Sequence, residues 1–111
     1  MAALEEAFGD VIQRQITDDA SFDKWKTSSA RREIVAFVQA LRTEDIFKKP
    51  GVAETIDWAK CLLALDVVDL SPEVISDTLG AILKYQDDIA RLQGSEAKRL
   101  LDEARASIGP A

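Results

Sequence analysis

Ser29 to Leu41, SARREIVAFVQAL, decides the fold. Ile34, Phe37, Val38 and Leu41 fall at i, i+3, i+4 and i+7, the spacing that stacks side chains on one face of an α-helix. Ser28 or Ser29 supplies its N-cap. No comparable stretch shows β-branched residues alternating between tight hairpin turns, so the expected class is all-α.

Helical periodicity continues on both sides. Towards the N-terminus, Leu4, Phe8, Val11, Ile12 and Ile16 share one face of a helix that Thr17 to Asp19 ends, with Gly9 lowering its propensity. Between Asp19 and Ser29, Phe22 and Trp25 lie three residues apart and mark a short helical turn. Towards the C-terminus, Lys48-Lys49-Pro50-Gly51 breaks the pattern, because proline disfavours helix in the residue before it and suits the first turn of the helix after it. That next helix carries Val52, Ile56, Ala59 and Leu63 on one side and Trp58, Leu62 and Leu65 beside them, an apolar arc broad enough to predict a place in the middle of a bundle. Ser71-Pro72-Glu73 reads as N-cap, first-turn proline and an acid at the positive helix end. Ile75, Leu79, Ile82, Leu83, Gln86, Ile89 and Leu92 then hold one stripe for five turns, with an interruption at Tyr85 to Asp88 left open. Gly94 and Ser95 read as a C-cap and a new N-cap. Ala97, Leu100, Leu101, Ala104 and Ile108 mark a final helix that Gly109-Pro110 ends. The connections are short, which predicts antiparallel neighbours in one compact bundle of four to five helices.

Composition narrows the function. The 111 residues suffice for one core, and 47% hydrophobic with 31% charged residues is an ordinary globular mixture. Twenty acidic residues against fourteen basic ones give a net charge of −6, which repels nucleic-acid phosphates and anionic lipid. No apolar run is long enough for a membrane span, and MAALEEAFGD carries neither a basic leader nor a signal-type apolar stretch. A single cysteine, Cys61, cannot form an internal disulfide and agrees with a cytoplasmic setting. The chain has no histidine and no G-x-x-x-x-G-K-[ST] loop, which removes the commonest general base, a common metal ligand and an independent ATPase site. We therefore expect no enzyme, no catalytic residue and no metal site. The acidic pairs Glu5-Glu6, Asp18-Asp19 and Asp87-Asp88 read as solvated surface, and the mixed charges from Glu96 to Arg105 as an exposed face with i, i+4 pairs.

Two features remain as candidates. Trp58 lies among core-facing residues, whereas Trp25 is equally suited to burial and to anchoring a protein partner. Lys48 to Trp58, KKPGVAETIDW, places two lysines before a helix N-terminus with a threonine hydroxyl in its first turns, the elements of an anion site against the alternative of a basic exposed loop.

Phe47 to Lys60, FKKPGVAETIDWAK, together with Asp77 to Ile89, DTLGAILKYQDDI, resembles the C-terminal helical lid of MoxR-type AAA+ ATPases, more closely the branch resembling CoxD. The likeness runs from about Ala30 to about Ala106, so residues 29–108 are the lid-like bundle and 1–28 an N-terminal helical segment outside it. The resemblance implies a lid that closes over nucleotide and contributes to ring assembly in an ATPase of chaperone or maturation type. Lys49, Gly51, Glu54 and Thr55 would then lie near the nucleotide. ATP and Mg would be bound only with a separate ATPase core, and the chain alone would hold no cofactor. The implied partners are that core or a von Willebrand factor A type protein. The sequence departs from the pattern in two places. Gly51 to Thr55 contains no arginine where many such lids sense the γ-phosphate; Thr55 is the nearest by position and Lys49 by charge. Met1 to Ser29 does not resemble the end of an ATP-binding core. The alternative from a different class is a stand-alone helical adaptor with no link to nucleotide.

Overall fold

The computed structural model describes residues 2–26 and 28–108, with side chains from Glu6 onward. The side chains of Leu4 and Glu5 and the Gly109-Pro110 stop lie outside that description. The architecture is an all-α bundle: α1 (Ala2–Asp18), a 3-10 turn (Ala20–Trp25), α2 (Ala30–Leu41), α3 (Val52–Ala64), α4 (Pro72–Thr78), a second 3-10 turn (Leu79–Ala81), α5 (Gln86–Arg91) and α6 (Ser95–Ile108). No helix among the described residues is long and apolar enough to cross a membrane.

The helix at the centre is α2, not α3 as the apolar arc of α3 suggested. Ile34, Val35, Ala36, Phe37 and Val38 are five consecutive buried residues, so α2 is covered on all sides there. α6 packs along one side of it and α1 along another. The decisive signal is the unbroken apolar run, since a helix hydrophobic all round must be enclosed. α3 instead buries one stripe, Thr55, Trp58, Ala59 and Leu62, and leaves Leu65 exposed.

Gly9 acquires a reason here. It is buried where α1 crosses α2, and a Cβ on it would lie 2.6 Å from Gln39 Nε2 and 3.3 Å from Val35 Cγ1. The lost helix propensity is offset by the close approach this permits.

The two tryptophans tie separate layers together. Trp58 is fully buried, with its ring 5.4 Å from Phe37, and its Nε1 donates to Thr78 Oγ1 at 2.8 Å. That hydroxyl in turn donates to the Val74 carbonyl at 2.7 Å, so the indole and the threonine are both satisfied in the dry interior. Trp25 is also fully buried, stacked against Phe22 at 5.4 Å. Its Nε1 donates to the Val67 carbonyl at 2.8 Å.

Val67 is available because α3 ends in a Schellman turn. Asp66 adopts φ +61, the Asp66 N–H bonds to the Leu63 carbonyl and the Val67 N–H to the Leu62 carbonyl. Lys24 pairs with the Asp66 carboxylate and Ser28 Oγ donates to the Val68 carbonyl, so Lys24 and Ser28 are both fastened along this turn. The ammonium of Lys24 holds the Asp66 carboxyl below its ordinary range.

Several sequence expectations change at the helix ends. Asp19 does lie at the surface, and it also caps the first 3-10 turn by accepting the Ser21 N–H, which lowers its pKa. Pro50 lies before α3 and not in its first turn, since Gly51 is the N-cap. The five-turn stripe from Ile75 is not one helix: α4 stops at Thr78, and Tyr85, in extended conformation, caps the separate α5. The apolar spacing survived because the 3-10 turn still directs Leu79, Ile82 and Leu83 inward. Gly94, at φ +66, holds the capping position of α6, with its carbonyl accepting the Lys98 N–H; Ser95 is already helical. On α6, Lys98–Asp102 and Arg99–Glu103 form the expected i, i+4 pairs. The same face also reaches across the bundle. Arg99 bonds Glu96 and Glu44, which together hold its guanidinium well above the ordinary range, and Arg105 bonds Glu33 and the Leu70 carbonyl.

Candidate functional site

The two segments that carry the lid resemblance are distant in sequence and adjacent in space. Between α2 and α3 the chain runs through Glu44 to Gly51. Arg42 positions this connection: its guanidinium lies 4.2 Å over the Phe8 ring, and its Nη1 donates to the Pro50 carbonyl at 2.5 Å. Between α4 and α5 the chain runs through Leu79 to Tyr85. A cleft of about 310 Å³ separates the two, with Lys48, Lys49, Pro50 and Glu54 on one side and Gly80 to Lys84 on the other.

Electrostatically the cleft is basic in an acidic protein. Three lysines, Lys48, Lys49 and Lys84, face one acid, Glu54. The Glu54 carboxylate is engaged locally: its Oε1 accepts the Gly51 N–H at 2.7 Å, one half of a capping box. Lys49 Nζ donates to the Glu44 carbonyl at 3.1 Å. Among the described residues, neither Lys48 nor Lys84 has an ion-pair partner.

The structure therefore divides the candidate residues. Lys49 and Glu54 line the cleft; Gly51 and Thr55 do not. Thr55 is fully buried, and its Oγ1 donates to the Gly51 carbonyl at 2.7 Å. The expectation of an anion held by the Gly51 amide and the Thr55 hydroxyl is corrected, because the helix cap consumes both groups. Trp25, open between burial and a role as partner anchor, is a core residue with its indole N–H already bonded, which goes against the anchor.

Two aromatics that the sequence analysis did not single out, and one acid that it read as surface, lie beside the site. Phe47 is 76% exposed and Tyr85 46%; their rings meet edge to face at 5.9 Å, each next in sequence to a lysine that lines the cleft. Asp88, read as surface, is only 2% exposed, and its two oxygens accept the Phe47 N–H at 3.2 and 3.1 Å. The only sequence signal for this cluster is the pairing of each aromatic with lysine, Phe47-Lys48-Lys49 and Lys84-Tyr85. The partner of Asp88 is a backbone amide forty-one residues away, which no local pattern reveals.

Asp88→Ala is expected to lower stability by about 1–3 kcal/mol, because the Phe47 N–H loses a charged acceptor. Asp88→Asn, which keeps one carbonyl oxygen, should lose less. Denaturant midpoints together with amide exchange at Phe47 check both, and unchanged Phe47 protection in Asp88→Ala would contradict the assignment.

No group of three or more cysteine or acidic side chains placed to hold a metal ion occurs among the described residues. Comparison with protein-family models, curated proteins and solved structures finds no match for this chain.

Proposed function

We propose that the chain is a non-catalytic helical module that docks onto a larger assembly, with a MoxR-type AAA+ ATPase as the partner class. What supports this reading is the convergence of Phe47–Lys60 and Asp77–Ile89 on one basic cleft, with the exposed ring pair Phe47–Tyr85 adjacent in sequence to its lysines. The module binds through that face and adjusts its partner's hydrolysis or assembly. Any nucleotide would be held by the core, with Lys48, Lys49 and Lys84 supplying positive charge at the edge.

A second reading has its own observation. With Gly51, Glu54 and Thr55 occupied by the cap, the start of α3 offers an incoming phosphate neither the Gly51 amide nor the Thr55 hydroxyl, which favours a stand-alone adaptor without nucleotide.

Mixing the purified chain with the separately produced ATPase core of a MoxR-type protein tests the first reading. Calorimetry should detect binding, and the hydrolysis rate of the core should change. The triple variant K48E/K49E/K84E should weaken binding about tenfold or more, since three rim charges reverse sign. Neither binding nor a rate change would sink the ATPase link and leave the adaptor.

A further inference from the structure

A phenylalanine on a loop would ordinarily turn inward, and Phe47 does not. Three-quarters of it is open to water, yet its backbone is fixed by a buried carboxylate from another helix, Asp88. Tyr85 is held at the N-cap of α5 with its ring against Phe47. Two exposed rings kept in place by buried structure form a preorganised contact, which lowers the ordering cost of association.

The surroundings of this pair are asymmetric. On the cleft side stand Lys48, Lys49 and Lys84, each adjacent or next but one in sequence to one of the aromatics and all exposed. On the other side, Asp87 lines a separate hollow with the same two rings. A ligand that buries an apolar group on the rings and carries negative charge towards the lysines satisfies both features, and only one orientation does so.

We propose that Phe47 and Tyr85 form a docking surface for an acidic segment of a partner protein that carries one large apolar side chain. The apolar side chain covers the ring pair, and flanking aspartates or glutamates lie against Lys48, Lys49 and Lys84. This rests on the reading of the chain as a docking module and adds the chemistry of the segment it docks. A nucleic acid fits less well, because the net charge of −6 opposes a polyanion along the rest of the surface.

Selection from a displayed library of short random peptides on the full chain, with the folded variant F47A as counter-selection, tests the proposal. Both rings are exposed, so F47A and Y85A should retain the wild-type denaturation midpoint. The expected consensus is a Leu, Phe or Trp flanked by acidic residues. Its synthetic peptide should shift amide signals at Phe47, Lys48, Lys49, Lys84 and Tyr85, bind about tenfold more weakly to F47A and to K48E/K84E, and weaken with added salt. Enrichment of basic or neutral peptides, or of none that depend on Phe47, would overturn it. So would self-association of the chain that F47A abolishes, or MgATP shifting the same signals with no sensitivity to F47A. Peptide binding without binding of the ATPase core removes the ATPase partner and keeps this surface; core binding that F47A and Y85A leave intact, with no peptide selected, does the reverse.

Discussion

Trp58→Ala should bring the chain close to unfolding, with an expected loss of about 3–5 kcal/mol against the roughly 5–15 kcal/mol that a domain of this size holds in total. The indole is fully buried at the junction of α2, α3 and α4, so its removal opens a cavity among side chains that cannot all collapse into it. The ring contact with Phe37 disappears, and the hydrogen bond to Thr78 goes with it. Trp58→Phe separates these contributions. It keeps an aromatic ring against Phe37 and removes the N–H, while Thr78 still donates to the Val74 carbonyl, so the loss should be smaller by at least half. Urea denaturation of the two variants checks this. A loss below about 1 kcal/mol in Trp58→Ala would mean that the interior refills around the gap.

Trp25→Ala is the second large effect, about 3–4 kcal/mol, and it discriminates between two roles for the same residue. An exposed anchor could be cut back to alanine with the fold intact and only binding lost. The enclosed Trp25 instead stacks on Phe22 and bonds the Val67 carbonyl at the end of α3, so the variant should lose stability before binding is measured. The damage should be local at first: amide protection in residues 20–26 and around Asp66 and Val67 should fall before that of α2. A variant with the wild-type denaturation midpoint would restore Trp25 as a docking residue.

These two residues show where sequence periodicity reads well and where it stops. The stripe Ile34, Phe37, Val38 and Leu41 gave α2 within a residue at each end, and Ser71-Pro72 gave the start of α4, because caps and apolar spacing act over one or two turns. The stretch from Ile75 does break at Tyr85, where an interruption was left open, but its helix already ends at Thr78, which went unread because a 3-10 turn preserves inward spacing while shortening the helix. The central position of α2 depended on what packs behind it, which belongs to tertiary structure. The site was legible only in part. Lys49 and Glu54 were found through their place before and within the first turn of α3. Thr55 carried the right chemistry but turned its hydroxyl onto its own backbone. The roles of Phe47, Tyr85 and Asp88 went unseen because they lie in contacts between the two ends of the 47–88 segment. Trp25 was undecidable from spacing alone, since its partner is a carbonyl forty-two residues away.

The placement of α2 has a consequence during biosynthesis. Its enclosing partners are unequal in timing: α1 precedes it, but α6, which covers another side through Leu100, Leu101 and Ala104, begins only at Ser95. At about 5–20 residues per second, the run Ile34 to Val38 waits on the order of seconds on the ribosome with one side bare. Over that interval the nascent helix keeps an apolar side uncovered, a surface to which a chaperone can bind.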